Sequence, residues 1–405
     1  MSSLAPGTHS SYPVSTFATK LYHLASETAS DKNIGFSPLN IAHALAMTAE
    51  ATNGETQHEI ARAIGLDSNV RLIDFATSLR SMQSGVSEPN TLSLASDIWT
   101  DHSLPVATSF TDDVNALFGP AHHSLSLRGD PSGSTSTINK TVSDQTNERI
   151  PDLLPDGFIT PDTVMVLTTA IYLKMLWAQQ FDKSLTSAGA FTLVNGQEIE
   201  VDMMHMKDSK FPYFYDKDSK VKVIELPYKD SSLSMVIMLP YAAEFENGPW
   251  EEPISVVKDI AALEAILTAD QLQTWYKRLD QVKGYGGVEM GNVSIPKFEM
   301  YTEYDLVPIM QKLGINIAFG KKADFSGIHS DINVGDLFIS DAIHKAFVKI
   351  NEEGSEAAAP TAVAVALESM STPENFNANA SFAYAIRDSK TGHTVFMGRF
   401  SNPKQ

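Results

Sequence analysis

The chain contains no cysteine, which excludes disulfides, thiolate metal sites and cysteine nucleophiles. It also lacks any apolar run of about 18 residues, the length that spans a bilayer as a helix. Basic residues are few: 30 Lys and Arg stand against 49 Asp and Glu, so the net charge is −19. Because phosphate backbones and anionic lipids repel so acidic a surface, we expect binding to neither nucleic acid nor membranes.

The motifs of the common enzyme classes are missing as well. No G-x-S-x-G, H-E-x-x-H or P-loop sequence occurs, and a Ser–His–Asp triad cannot be recognised from composition. The glycines between Gly284 and Gly291 miss the dinucleotide-binding spacing and indicate a flexible loop. His122 and His123 are adjacent and would point in opposite directions in an extended segment, so we interpret them as solvated loop residues. We therefore expect no enzymatic activity, no metal and no cofactor.

The length of 405 residues would on average correspond to two or three domains. No linker or internal repeat divides the chain, however, so we predict one α+β domain over residues 1–405. The first residues contain neither the basic nor the apolar segment of a signal peptide. The sequence is thus compatible with a cytoplasmic protein or with a secreted protein whose signal has been removed.

Helices are predicted mainly in the first third of the chain. Apolar residues recur at helical spacing from Val14 to Leu24 and again after Pro38. The pair Thr56 and Glu59 forms a capping-box pattern, which predicts a helix that begins there and ends at Gly65. The Gly-, Ser- and Thr-rich stretch at residues 129–137 indicates a loop.

Strands dominate the prediction from Leu92 onward. Val164–Leu173 is apolar and β-branched, as is typical of a strand buried on both faces. Val221–Asp230 and Ser232–Pro240 are predicted to pair as a hairpin. A second hairpin is predicted near the C-terminus, where Gly392 supplies the positive φ that the turn needs.

One long segment, Asn351–Asn375, does not fit an ordinary connection. It has about 25 residues, a length at which a connection is usually functional or disordered. Within it, Ala362–Leu367 alternates small with branched apolar residues, which is a strand pattern. The segment is therefore either an edge strand of a sheet or a loop whose sequence suits a second state in which it becomes a strand.

Blocks along nearly the whole chain resemble those of the serpin family, in the same order. The resemblance implies a mixed α+β fold with three β-sheets, about eight or nine helices and an exposed reactive-centre loop near residues 352–375. The blocks are NIGFSPLNIAHALAMTAEATNGETQHEI (33–60), TTAIYLKMLWAQQF (168–181), VSIPKFEM (293–300), ADFSGI (323–328), AIHKAFVKINEEGSEAAAPTA (342–362) and FNANASFAYAIRDSKTGHTVFMGRFSNP (376–403).

The resemblance also implies a function, suicide inhibition of a serine protease. The protease cuts the loop and stays attached as a covalent acyl-enzyme while the loop inserts into the central sheet as a new strand. The inhibitor is expected to be a monomer. The alternative is a non-inhibitory serpin, a carrier, chaperone or storage protein that proteases cut as a simple substrate.

The hinge of the loop is rich in small residues, which can enter a packed sheet without overpacking it. Because alternate residues of a strand face the same side, Ser355, Ala357 and Ala359 would enter the buried side together. Pro360 stands where the family usually has a small residue, and its missing N–H is expected to slow insertion. The implied hinge comprises Glu352, Glu353, Gly354, Ser355, Glu356, Ala357, Ala358, Ala359 and Pro360.

Family spacing places the reactive bond between Glu368 and Ser369, the seventeenth and eighteenth residues counted from Glu352. Glu368 would then be the primary specificity residue, which implies a granzyme B-like or glutamyl-specific protease. Leu367 and Met370 are the alternatives and would suit a chymotrypsin-like enzyme. The neighbouring Ala and Val residues would suit an elastase.

The resemblance further marks residues where the central sheet must open. Thr169 stands in place of an asparagine that meets His344 under the sheet, and Asn40 replaces a serine beside Ser37. We expect the opening region to be rewired by these changes, with Trp177 as a further member. Residues 70–90 contain few basic side chains, so activation by heparin is not expected.

Overall fold

A computed structural model describes residues 13–29, 31–66, 72–244, 255–257, 259–355 and 372–405. Nine α-helices lie within these ranges: α1 (Pro13–Ala29), α2 (Pro38–Glu50), α3 (Gly54–Ala63), α4 (Leu72–Ser84), α5 (Thr108–Phe118), α6 (Pro131–Gln145), α7 (Ile260–Ile266), α8 (Ala269–Gly284) and α9 (Leu306–Lys312).

The same ranges contain eighteen strands, which are numbered in chain order: β1 (Ile34–Phe36), β2 (Thr91–Asp101), β3 (His122–Leu125), β4 (Met165–Leu176), β5 (Ser187–Thr192), β6 (Glu198–Phe211), β7 (Tyr213–Asp216), β8 (Val221–Pro227), β9 (Leu233–Pro240), β10 (Ala242–Glu244), β11 (Ser255–Val257), β12 (Val288–Pro296), β13 (Phe298–Asp305), β14 (Asp341–Ile350), β15 (Gly354–Ser355), β16 (Glu374–Asn377), β17 (Phe382–Asp388) and β18 (Thr394–Phe400).

Three large sheets and one two-stranded ribbon, β10–β11, account for these strands. The central sheet has the order β13-β14-β4-β2-β3, with the short β15 paired to the end of β4. The second sheet has the order β1-β18-β17-β9-β8-β7, and the third β16-β12-β6-β5. Within the described residues, the helix and sheet counts confirm the fold that the resemblance implies.

The central sheet separates two hydrophobic clusters. The main cluster extends from Phe17 on α1 to Phe400 on β18 and includes Ile171 of β4. The smaller cluster lies under α6 and includes Ala170 of the same strand. Strand β4 is therefore buried on both faces, which confirms the prediction for residues 164–173.

Several local predictions are confirmed. The helices α1 and α2 lie where the apolar spacing placed them. Strands β8 and β9 pair as the predicted antiparallel hairpin, and so do β17 and β18. Gly392 in the second turn has a φ of 74°.

The predicted capping box is wrong. Helix α3 begins at Gly54 with Asn53 as its N-cap, two residues before the predicted start. Thr56 Oγ1 instead accepts a hydrogen bond from the backbone N–H of Asp324. Glu59 likewise accepts bonds from two backbone N–H groups outside its own helix. Tertiary contacts thus use both side chains.

The predicted loop at residues 129–137 is also wrong, because helix α6 begins at Pro131. Asp130 caps it by accepting a hydrogen bond from the Gly133 N–H at 2.9 Å. Ile138 and Val142, one turn apart, bury the inner face of the helix against the central sheet. The burial of this face outweighs the weak helix propensity of Gly, Ser and Thr.

The histidine pair lies in β3 rather than in a solvated loop, which corrects that interpretation. The two rings do take different partners: His122 Nε2 lies 3.0 Å from Thr100 Oγ1, and His123 Nε2 lies 2.9 Å from Asp97 Oδ1.

The glycine-rich stretch between Gly284 and Gly291 is mostly regular secondary structure and not a flexible loop, because α8 and β12 cover all but residues 285–287. Across the described ranges, no helix has the length and apolarity to cross a membrane, and no cluster of His, Cys, Asp or Glu suits a metal ion.

Candidate functional site

The first part of the site lies where β14 leads into the hinge, at one end of the central sheet. Strand β14 runs parallel to β4 and pairs with it from Asp341 to Phe347, opposite residues 166–172. Beyond this point, β4 changes partner and pairs antiparallel with β15, with Gly354 opposite Leu176 and Ser355 opposite Met175. Strands β4 and β14 are therefore parted at this end, where residues 354 and 355 of the predicted hinge pair with β4. We call residues 351–355 together with Trp177 the breach.

Backbone and indole hydrogen bonds fix the breach. The Trp177 N–H donates to the Glu353 carbonyl at 2.9 Å, and its indole Nε1–H donates to the Asn351 carbonyl at 3.0 Å. The Asn351 side chain accepts from the N–H groups of Glu353 and Gly354 at 3.0 and 3.1 Å. Trp177 itself is buried and stacks on Tyr228 with ring centroids 4.7 Å apart. The indole thus anchors the first residues of the hinge.

The backbone at Gly354 accepts no other residue without rearrangement. Its φ is 146°, which is in the region that favours glycine. A Cβ atom there would lie 1.9 Å from the carbonyl oxygen of Met175. The close approach of the hinge to β4 therefore depends on this glycine.

Two adjacent carboxylates are buried in the breach. Glu352 and Glu353 are 4% and 5% exposed. Glu352 Oε1 accepts hydrogen bonds from Lys297 Nζ at 3.1 Å and from Thr186 Oγ1 at 2.8 Å, and Glu353 Oε1 accepts one from Lys183 Nζ. Buried carboxylates need such partners, because burying an unpaired charge is costly.

The environment shifts the pKa values of this ion-pair cluster. Burial by itself would raise the pKa of Glu352, but hydrogen bonds from its own N–H, from Thr186 and from Lys297 outweigh that effect and lower it. The hydrogen bond and the charge of Glu353 raise the pKa of Lys183. Glu352 is thus held in the charged form at neutral pH, and the ion pairs of both carboxylates tie the hinge to the third sheet and its preceding segment.

The second part of the site, which we call the shutter, consists of Ser37, Asn40, Thr169 and His344. His344 Nε2 accepts a hydrogen bond from the Ser37 N–H at 3.1 Å, so its proton is on Nδ1. That Nδ1–H donates to Thr169 Oγ1 at 2.8 Å, and the Thr169 hydroxyl donates to the Ile343 carbonyl at 3.1 Å. Burial lowers the pKa of His344 to about 3, so the imidazole is neutral. The chain of bonds joins β14 to β4.

Asn40 makes a different set of contacts under the same sheet. Its Nδ2 donates to the carbonyls of Ala170 at 2.8 Å and Ala95 at 3.3 Å, which belong to β4 and β2. Its Oδ1 accepts a bond from the Ser96 hydroxyl. The asparagine therefore joins β2 and β4, whereas Thr169 and His344 join β4 and β14.

The remaining predicted site residues lie outside the described part of the chain. They comprise the rest of the hinge and the candidate reactive bonds: Glu356, Ala357, Ala358, Ala359, Pro360, Leu367, Glu368, Ser369 and Met370. The described chain resumes at residue 372, and β16 then joins the third sheet in parallel with β12. The two described ends of the loop are thus held in different sheets.

Sequence reasoning missed the partners of the buried carboxylates, Lys183, Thr186 and Lys297, and the anchoring residues Asn351 and Ser96. Lys297 lies within one of the family blocks, but nothing in that block marks it as a partner of Glu352, 55 positions away. These contacts follow from tertiary structure, and a single sequence carries no local signal for them.

Comparisons with known proteins agree with the overall fold. A family model described as "Serpin (serine protease inhibitor)" matches residues 13–403. Leukocyte elastase inhibitors from Equus caballus and Homo sapiens are 34% and 33% identical to this chain, and each alignment covers 96% of it and 97% of the relative. The structure of human thyroxine-binding globulin complexed with thyroxine has a TM-score of 0.81 at 26% identity, covering 97% of this chain and 98% of that one. Uncleaved ovalbumin has a TM-score of 0.81 at 24% identity, covering 98% of this chain and 100% of that one.

Proposed function

The chain belongs to the serpin family of serine protease inhibitors, and we propose that it is an inhibitory member that traps its protease by loop cleavage and insertion. One observation carries the proposal: Gly354 and Ser355 already pair with β4, at the end where β14 has separated from it. The hinge thus occupies the first two positions of the strand that insertion would complete. Residues 1–405 would act as one inhibitory unit.

The register at the breach supports insertion of a defined length of loop. If the antiparallel pairing of β15 continued, each further loop residue would pair with the preceding residue of β4. The 12 residues of β4 would then be matched by residues 354–365, with Val365 opposite Met165. A cut at the Glu368–Ser369 bond leaves enough loop to fill this strand, and so do cuts after Leu367 or Met370.

If this register continued, the hinge side chains would be divided between the two faces of the sheet. Residues paired across strands share a face, so Ala357 and Ala359 would face the main cluster with Leu173 and Ile171. Small side chains fit that buried face, which already contains Met175. This distribution supports an insertion-competent hinge.

In this register Pro360 disfavours strand insertion less than a proline inside a strand usually does. The hydrogen bond from Trp177 N–H to the Glu353 carbonyl identifies the hydrogen-bonded pairs between the hinge and β4. Because these pairs alternate, Pro360 would fall at a non-hydrogen-bonded position opposite Ala170. The one hydrogen bond that proline cannot donate would then be a bond to β14, and its loss costs about 1 kcal/mol. We propose that the proline slows insertion without preventing it.

Glu368 is the proposed primary specificity residue, and the target a serine protease that accepts an acidic residue. The curated relatives are named as inhibitors of leukocyte elastase, so an elastase that uses the Ala and Val residues or Leu367 is the second candidate. The test is incubation with a glutamyl-specific endopeptidase, an elastase and chymotrypsin, followed by denaturing electrophoresis. A covalent band supports inhibition, and its absence with complete loop cleavage supports the simple-substrate alternative.

The new N-terminus of the released C-terminal fragment, read by mass spectrometry, identifies the bond. A fragment that begins at Ser369 supports Glu368, one that begins at Glu368 makes Leu367 the specificity residue, and one that begins at Ser371 makes it Met370. Glu368→Arg should move inhibition to trypsin-like proteases, whose pocket carries an acid. The matched control Leu367→Ala should keep the preference for an acidic residue.

A further inference from the structure

A group of basic side chains lies on elements beside the place where the reactive loop rejoins the fold. They lie at the end of β6, in the β7–β8 hairpin and on the second half of α8, and we call them the cationic face: Lys207, Lys210, Lys217, Lys220, Lys222, Lys277, Arg278 and Lys283. The elements are contiguous, since β7 pairs with β8 and Arg278 lies over the ring of Phe214 on β7 at 4.2 Å.

The charge of this face contrasts with that of the whole chain. Residues 207–222 and 277–289 contain eight Lys or Arg and five Asp or Glu, whereas the chain has a net charge of −19. Two of the five carboxylates have other partners, because Asp216 accepts from the Trp275 indole and Asp280 pairs with the buried Arg387. Asp208, Asp218 and Glu289 are the remaining three.

Three exposed lysines of the face differ from Lys222, whose Nζ donates to the Asn375 carbonyl at 3.3 Å. Lys207, Lys210 and Lys283 make no ion pair with any described residue. A Cβ on Gly286 would lie 3.8 Å from Lys210 Nζ, which places Lys210 against the α8–β12 turn. Tyr285 in that turn is 90% exposed. Lys207, Lys210 and Lys283 thus carry positive charge without an ion-pair partner, and Lys210 lies beside a turn with a protruding aromatic ring.

Chain length limits how far this face can lie from a protease bound at the reactive bond. From Ser369 to Pro373 the chain advances four residues, which span at most about 14 Å. A Cβ on Gly291 would lie 3.5 Å from Pro373 Cβ, so Pro373 is fixed against β12. Asn292 of β12 pairs with both Asn375 of β16 and Lys207 of β6, so the Lys207 backbone lies two strand spacings, about 10 Å, from β16.

We infer that the cationic face is a docking surface for the target protease, and that it favours proteases with an acidic surface beside the subsites for the residues after the cut. The inference rests on the proposed function and adds a second determinant of partner choice to Glu368. Charges within about 8–10 Å of a partner act despite salt screening. The net charge of −19 slows the approach of an acidic protease, and the local face offsets this repulsion where the two proteins meet.

The test is the triple charge reversal K207E/K210E/K283E, with K321E/K322E/K390E as the control. The control lysines are also exposed, and both variants change the net charge equally. The measured quantity is the second-order rate of loop attack, counting cleaved and complexed inhibitor together, by a glutamyl-specific endopeptidase of acidic isoelectric point. We expect the first variant to lose about 10-fold at roughly 0.05 M salt and less than about twofold at roughly 0.5 M. The control should stay within about twofold of wild type.

Equal losses in the two triple variants would assign the effect to net charge and overturn the docking surface. An unchanged rate in K207E/K210E/K283E would overturn it as well. Salt-dependent retention on immobilised heparin that this variant alone loses, with unchanged attack rates, would assign the face to a sulfated polysaccharide instead. The ratio of complexed to cleaved inhibitor tests trapping separately, so a failure of the proposed function shows in that ratio and not in the attack rate.

Discussion

The hydroxyl of Thr169 bridges β4 and β14, the two strands that would have to separate in the proposed loop insertion. It accepts the proton of His344 Nδ1 and donates to the Ile343 carbonyl. Thr169→Val keeps the shape of the side chain and removes both bonds. His344 cannot escape by changing tautomer, because its Nε2 is already the acceptor for Ser37 N–H. The variant therefore leaves a fully buried N–H without a partner.

An orphaned buried donor costs about 1–3 kcal/mol. The entropy of unfolding is about 2.1 cal/mol/K per residue, or roughly 0.85 kcal/mol/K for a chain of this length. Dividing the two predicts that Thr169→Val lowers the Tm of the intact protein by about 1–4 °C. Because β4 and β14 are then held less firmly, the variant should also convert faster, on incubation, to an inactive form in which the uncut loop has inserted between these strands.

Differential scanning calorimetry of the uncleaved protein measures the shift, with two matched controls. Thr169→Ser loses the methyl group but keeps the hydroxyl, so it should retain the β4–β14 contact and the slow conversion to the inactive form. Thr141→Val makes the same chemical change on the outer side of α6, where the hydroxyl bonds only within the helix, and should change stability by less than about 0.5 kcal/mol. An unchanged Tm in Thr169→Val, or conversion as fast in Thr169→Ser, would refute the reasoning.

Three further predictions concern the hinge and the shutter. Ser355→Arg should leave the fold intact but turn the inhibitor into a substrate, because insertion would bury an unpaired charge opposite the buried Met175, at a cost of several kcal/mol, roughly; covalent complex formed at the wild-type yield would contradict this. Pro360→Ala should keep the same targets and raise the fraction of protease trapped, measured as the stoichiometry of inhibition, since it restores one hydrogen bond toward β14; a lower trapped fraction would argue against the register. Burial lowers the pKa of His344 from 6.5 to about 3, so the unfolded state binds the extra proton and the stability from this residue, present above pH about 6.5, is lost as pH falls toward 3. Tm measured against pH should therefore fall less steeply for His344→Gln than for wild type over that range.

Local sequence patterns by themselves determined several strands and turns of this protein. The apolar, β-branched run of β4 predicts a strand buried on both faces, because apolar residues point to both sides of the strand. The C-terminal hairpin follows from two alternating runs around a turn that contains Gly392. The order of the family blocks specified the overall fold, and it predicts a hinge at residues 352–360. These features depend on neighbours in sequence, so one chain suffices to predict them.

Tertiary structure decided the features that depend on distant residues. Thr56 and Glu59 have the spacing of a helix cap, yet their side chains accept hydrogen bonds from the backbone N–H groups of Asp324 and Asn316. The weak helix formers of α6 become helical because Ile138 and Val142 are buried against the central sheet.

The breach shows most directly which features the sequence supplies and which the tertiary structure decides. The sequence supplies Glu352, Glu353 and Gly354, but the packing of three sheets decides that the carboxylates are buried beside Lys297 and Lys183. It also decides that β14 leaves β4 after Phe347 and that the hinge takes its place. Burial and strand pairing are properties of the assembled sheets, and the free energy of a buried ion pair or an open strand edge exists only once those sheets have formed.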